Sequence, residues 1–393
     1  MTTSQIRVRG VEELIATVPL QLGYQPEDSL VLVLLGQPES HPGAARAAGP
    51  VLLMARMDLP HDLGGYEDVL ADVGRCLRQQ RTRQPALVDV LAFEDDTDST
   101  EVLRAVARLC AEEEVPVHHA VRVHEGRWQQ LEPDGTSSVW CVVPSLEAVP
   151  CAADLVLAGA QIGPGRAELA RRIREGDAER RAELAAEVED YLDRFLQAVP
   201  PEAEEVPPDG EEVPPEGEEV PPEGEVVQDL VRLQARFLER GALAWRRILD
   251  TTVGGPEVAD LPPAVLAQGL VLLWHREFRD GVITWSVPGV LGPGMLPREV
   301  SDPLVRHLEL ARLGNRRLLD RLVSLCSLVP DELAAPLLTV TAQTAWALNS
   351  GTVANLAIER ALELEPDYYL AGLTDMLLQN AVPPPRGPFV SSA

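Results

Sequence analysis

The chain has 393 residues, 62 acids against 34 bases, a formal net charge of −28 and 45% hydrophobic residues, enough for two or three domains with cores of their own. That charge disfavours phosphate backbones and anionic lipid heads, which are bound by clustered Lys and Arg, so neither nucleic acid nor a membrane is expected as a partner. All 34 bases are arginine, which excludes phosphate-loop ATPases and kinases, pyridoxal and Schiff-base enzymes and Ser-x-x-Lys acylating enzymes unless a partner supplies the lysine.

The first 160 residues alternate helical and extended patterns. Leu14, Ile15 and Val18 space a helix over 11–20, broken by Gly23 and Pro26. The run LVLVLL at 30–35 predicts a strand buried on both faces, and VLLMARMDL at 51–59 a second one, ended by Pro60. Val69, Leu70, Val73 and Leu77 space a helix over 66–81. A third strand, ALVDVLAF at 86–93, closes on the acidic turn Glu94-Asp95-Asp96. A helix over 100–113 follows, then two strands at 115–123 and 128–131 joined near Glu125-Gly126. Alternation of this kind predicts an α/β domain over 1–160 with a mostly parallel sheet.

The pattern is helical from 152 to 195, with Leu184, Val188, Tyr191 and Phe195 on one face, and 161–199 reads as a helical extension. Three copies of a seven-residue unit, EEVPPDG then EEVPPEG twice, fill 204–224. Proline doublets block helix and sheet, and eleven carboxylates from Glu202 to Glu225, without a base among them, repel one another. The expectation is a disordered acidic linker over 200–226. An all-α domain over 227–385 then begins with Leu230, Leu233 and Phe237 on one face, followed by a helix over 264–278. RLVSLCSLVPDELAAPL (321–337) and AIERALELEPDYYLAGL (357–373) align without a gap at an offset of 36. That offset is near the 34 residues of a tetratricopeptide unit, so the C-terminal domain is expected to be tetratricopeptide-like.

Five cysteines, odd in number and without a C-x-x-C pair, form neither a disulfide framework nor a zinc ribbon. The N-terminus lacks an apolar signal core and no apolar run nears about 18 residues. A reducing cytoplasm is the expected location.

The segment VEELIATVPLQLGYQPEDSLVLVLLG, followed by LLMARMDLP, resembles the domain of unknown function 4192 family, found widely in actinobacteria. The resemblance continues through EGRWQQ (125–130), REFRDG (276–281) and GTVANLAIERALELEPDYYLAGLTDMLLQNAVPPP, and covers most of the chain outside the tract. Its most specific part is Gly23-Tyr24-x-Pro26-x-Asp28-Ser29-Leu30. The surroundings of Cys141 depart from the cysteine-richer family pattern, so no metal role carries over. The family has no established activity, and the resemblance implies an architecture rather than a chemistry.

Candidate ligand-binding residues come from the strand ends, because open parallel sheets bind ligands beyond their carboxyl edges. They are Asp28 and Ser29 before the first strand, Arg56 and Asp58 at the end of the second, and Glu94 and Asp95 after the third. Asp96 extends that acidic turn. The acids suit Mg²⁺ and Arg56 a phosphate or carboxylate, against the plainer reading of solvated loop acids and a structural ion pair. Ser29 lacks a G-x-S-x-G elbow and a partnered histidine, which favours a turn role. His118 and His124 share a strand face while His119 points away, poor geometry for a metal. Gly163-Pro164-Gly165 reads as a plain loop and Trp128 as a core residue. No catalytic residue, metal or cofactor is assigned. The preferred expectation is a non-catalytic interaction module that meets a protein partner through the C-terminal helical domain. The alternative is an α/β protein binding a nucleotide or another small phosphorylated ligand, with Mg²⁺.

Overall fold

The structure, a computed structural model, describes residues 8, 10–37, 49–157, 160–198, 223–287, 290, 293–308 and 316–384. It divides into two compact units: residues 1–169 with 376–383, and residues 170–375.

The first unit contains α1 (Val11–Leu22), β1 (Ser29–Leu35), β2 (Val51–Asp58), α2 (Leu63–Gln80), β3 (Leu87–Glu94), α3 (Thr100–Glu112), β4 (Val117–His124), β5 (Arg127–Gln130), β6 (Cys141–Val142) and α4 (Pro150–Leu157). The strands lie in the order β2-β1-β3-β4-β5-β6. β1 is buried from end to end, as its unbroken apolar run requires. Side chains alternate across a strand. Leu30, Leu32 and Leu34 therefore join α2 and α3 on one face, while Val31, Val33 and Leu35 join α1 on the other. Each of these six side chains contributes roughly 1.5–3 kcal/mol by burial. A polar residue at any of these positions would thus unseat the helix layer that it faces.

The sheet is mixed, which corrects the mostly parallel expectation. Only β3 and β4 run parallel; β1 is antiparallel to both β2 and β3, and β4–β5 and β5–β6 are antiparallel. The reason lies in the connections. A parallel neighbour needs a crossover, usually a helix, and α3 supplies one between β3 and β4. β4 and β5 form a hairpin whose two turn residues, Glu125 and Gly126, both have positive φ (46° and 71°). Tight hairpins with the sheet's own twist need that conformation.

The second unit is helical: α5 (Arg166–Arg174), α6 (Ala178–Ala198), α7 (Glu223–Ile248), α8 (Pro263–Val271), α9 (Arg276–Ser286), α10 (Arg298–Leu308), α11 (Arg316–Leu328), α12 (Asp331–Ala347), α13 (Gly351–Leu364) and α14 (Tyr369–Gln379), with α5 and α14 reaching past its boundaries. Leu184, Val188 and Tyr191 of α6 are buried, and the Tyr191 ring meets Phe237 of α7 edge-on at 5.7 Å. The stripe read as a helical extension is therefore core of this unit. The acidic tract joins α6 to α7, two helices of one unit, instead of linking the sheet to the helices. Residues 200–222 of the expected linker lie outside the described residues, and 223–226 are the first turn of α7.

α12 is buried on every side from Leu333 to Ala345, matching its all-round apolar sequence. Its threonines satisfy their hydroxyls within the helix, Thr339, Thr341 and Thr344 donating to the carbonyls four residues back at 2.8–2.9 Å. The buried Arg321 of α11 donates to the carbonyls of Ile248, Arg247 and Pro256 at 2.7–3.0 Å, closing the C-terminus of α7 with a cation. The two blocks that align at an offset of 36 fold as α11–α12 and α13–α14. No described helix is long and apolar enough to cross a membrane.

Candidate functional site

The six candidate ligand residues meet at one edge of the sheet. Register places Ser29 opposite Asp58 on one side and Phe93 on the other, so the start of β1 adjoins the ends of β2 and β3. Their polar groups are engaged with one another and with the chain. Asp28 sits at φ 35° and accepts from the backbone N–H of Asp95 (3.0 Å) and Thr97 (3.1 Å), fixing the loop between β3 and α3. Burial pulls its carboxyl upward, but the N–H groups of Asp95, Thr97 and Asp96 outweigh this and hold it below the usual carboxylate range. The Ser29 hydroxyl donates to the Glu27 carbonyl at 2.6 Å and accepts from Arg56 Nε at 2.8 Å. A hydroxyl facing a guanidinium has no base to activate it. Arg56 also pairs with Asp58.

Glu94 is more firmly held. It accepts from the backbone N–H of Ser99 (2.8 Å), from the Ser99 hydroxyl, and from Nε (2.8 Å) and Nη2 (3.0 Å) of Arg122 on β4. The fork also reaches Asp98 at 3.0 Å and lies 5.8 Å from the Trp140 ring. Hydrogen bonding to Glu94 and its charge raise the Arg122 pKa against the opposing effect of burial. This constellation positions the β3–α3 loop, whose acids Asp95, Asp96 and Asp98 are exposed, Asp98 being the one of the three that Arg122 reaches.

At the other end of β3, about 16 Å away by strand rise, lies a group that the sequence reading did not assemble. Asp89 is buried, and its Oδ1 lies 2.9 Å from His119 Nδ1 and 3.2 Å from His118 Nδ1. His119 does not point away from His118, because the strands are out of step there. Register passes from Val88 opposite Val117 to Asp89 opposite His119, leaving His118 as an extra residue. The bulge turns both imidazoles to one carboxylate, their ring centroids 3.8 Å apart. His124 belongs elsewhere, its Nδ1 3.3 Å from the Glu94 carbonyl oxygen. Asp89 was open to detection: it is the lone acid in the otherwise apolar ALVDVLAF.

In the helical unit, Arg279 of α9 lays Nε and Nη2 on Asp280 (3.1 and 2.8 Å) and donates Nη1 to the Tyr368 hydroxyl at 2.7 Å. The Tyr368 ring centroid lies 5.8 Å from the guanidinium carbon. Burial raises the Tyr368 pKa, against the opposing effect of Arg279. Trp274, two residues before α9, is 55% exposed, and Tyr369, the chain neighbour of Tyr368, is 77% exposed. Trp128, by contrast, is half-buried against the core on the α1 face of the sheet, and the Gly163 N–H is spent on the Gly23 carbonyl at 2.7 Å.

The Arg279–Tyr368 bond joins REFRDG to EPDYYLAG, and Asp28 and Arg56 belong to the N-terminal segments. No curated protein and no solved structure matches the chain. The family described as Domain of unknown function (DUF4192) matches residues 12–385, and the chain belongs to it.

Proposed function

We propose that this protein is a non-catalytic interaction module that docks a protein partner on its helical unit, around Trp274, Tyr369 and Leu373. The observation that carries the reading is the pair of exposed aromatics, Trp274 and Tyr369, close in sequence to the half-buried Arg279–Asp280–Tyr368 network that ties α9 to the start of α14. Large aromatics held on a rigid base are the side chains that dominate interface energetics. Leu373 lies one turn from Tyr369 on α14 and is 43% exposed, so the apolar face continues along the helix. Glu277, Glu365 and Asp367, each within four residues of Trp274 or Tyr369 in the sequence, are exposed, in a chain of net charge −28. The partner that complements this surface is an amphipathic segment with basic flanks. The α11–α12 and α13–α14 pairs, 36 residues apart, support a tetratricopeptide-like description. The burial of α12 on every side supports a docking surface on exposed residues such as Tyr369 and Leu373 of α14 rather than in an open concave groove. Five free cysteines, four of them buried, suit a reducing cytoplasm.

The test compares proteins retained by the full chain with those retained by a Trp274→Ala/Tyr369→Ala double variant of unchanged melting temperature. Partners bearing basic amphipathic segments should be lost from the variant. Identical retention on both would refute the reading. The alternative, a phosphorylated ligand with Mg²⁺ at Asp58 and Glu94–Asp96, meets carboxylates already holding Arg56, Ser99 and Arg122. Nucleotides with Mg²⁺ are expected to leave the melting temperature unmoved, whereas a bound ligand at about 100 times its Kd would add about 2.7 kcal/mol.

A further inference from the structure

We propose that Asp89, His118 and His119 form a divalent transition-metal site on the α1 face of the sheet, with Zn²⁺ the ion that suits the donor set. The site is independent of the docking surface. Its three donor atoms all lie within 4.8 Å of one another. Two ligands of a tetrahedral Zn²⁺, each about 2.0–2.1 Å from the ion, stand about 3.4 Å apart. The distances of 2.9 and 3.2 Å from Asp89 Oδ1 to the two Nδ1 atoms need only tenths of an ångström of adjustment.

Two independent features separate this group from a chance ion pair. The backbone is bent to make it: neighbouring residues on a regular strand face opposite sides, and the bulge at His118 cancels that alternation. The burial is also graded. The Asp89 side chain is 5% exposed on a face otherwise lined by Val33, Leu91 and Val121, while the imidazoles are 39% and 21% exposed. A carboxylate in such a place calls for a cation. The two imidazoles offer it hydrogen bonds from the solvent side, which is also the side from which an ion would arrive.

With Asp89, His118 and His119 as ligands, the fourth position of a tetrahedral ion falls to water. Three protein ligands and an open position are the arrangement of zinc sites that bind a water or a small anion, as distinct from closed four-ligand structural sites.

The experiment titrates Zn²⁺ into the full chain, stripped beforehand with a chelator, against a competing chromophoric chelator. It is repeated for His118→Gln, His119→Gln and Asp89→Asn, with His61→Ala as a control outside the site. Wild type and His61→Ala should each take up one equivalent. Each ligand variant should bind at least tenfold more weakly, since even the loss of an outer-shell partner costs about 10–100-fold. Zn²⁺ should raise the melting temperature of wild type but not of Asp89→Asn. Co²⁺ in place of Zn²⁺ gives a readout needing no variant: an intense visible absorption of a tetrahedral ion supports the site. A weak spectrum of octahedral aquo-cobalt overturns it, as does equal Zn²⁺ affinity in wild type and all three ligand variants.

Discussion

Glu94 and Asp89 lie five residues apart on β3, and the side chain of each is only 5% exposed. Their partners differ. Glu94 accepts a bidentate guanidinium and both donors of Ser99, so its charge is matched by a permanent cation and its lone pairs are used. Asp89 faces two imidazoles, whose Nδ1 atoms can each carry a proton or bind a metal ion. Equal burial therefore means different things at the two ends. At the Glu94 end the carboxylate is a strut of the β3–α3 loop. At the Asp89 end it is held by partners that can change what they carry.

The sharpest way to break this comparison is Arg122→Ala. It leaves the Glu94 carboxylate buried with Ser99 alone, and removing one partner of a buried pair costs about 3–5 kcal/mol. Because Arg122 is 18% exposed and Ser99 remains, the lower end, about 3 kcal/mol, is expected. Hydrogen exchange of the β1 amides measures it, since two units need not unfold as one. The double variant Arg122→Met/Glu94→Gln should recover most of the loss, because no unpaired charge is left behind. Unchanged exchange in Arg122→Ala would show that Glu94 is free to serve a ligand.

Asp28 should show the next largest effect, as a pH dependence. Its carboxyl is held below the usual range by the β3–α3 amides, so the unfolded chain takes up the proton first. The stabilisation is complete above the ordinary Asp range and is lost as pH falls through the lower folded-state value. Asp28→Asn should flatten that part of the acid-unfolding curve, and a curve identical to wild type would show that the three N–H contacts contribute nothing to stability.

Some of this was legible in the residues. The LVLVLL run announces a central strand, because only a strand covered on both faces can bury six aliphatics in a row. Leu184, Val188 and Tyr191 announce a one-sided helix. The six strand-end residues do converge, since any three adjacent strands bring their ends together. Their partners were hidden: Arg122 reaches Glu94 across 28 positions, and only the pairing of β3 with β4 makes them neighbours. The mixed sheet was half visible, because the sequence between β1 and β2 shows no helical spacing that would make a crossover. The bulge was not visible at all. A single extra residue changes which way His118 faces without altering composition or period. The exposure of Trp274 was equally silent, because aromatics occur in cores and at interfaces alike.

The smallest expected effect is the most telling. Asp89→Leu removes a buried carboxylate from an apolar face and leaves the two imidazoles, 39% and 21% exposed, within reach of water. Exchanging a buried ionic group for a hydrophobic one of similar volume is often neutral or stabilising when no unpaired charge remains. Leu fits the surroundings of Val33 and Leu91, so the change should stay within about 1 kcal/mol of wild type, read by the same β1 exchange. Glu94→Leu at equal burial should cost more, since it strands the Arg122 guanidinium beside Asp98 alone. A residue that the fold can lose cheaply, in a place where a charge is costly to keep, is retained for something other than stability. If Asp89→Leu instead matched the loss in Arg122→Ala, Asp89 would be a strut like Glu94, and the contrast between the two ends of β3 would vanish.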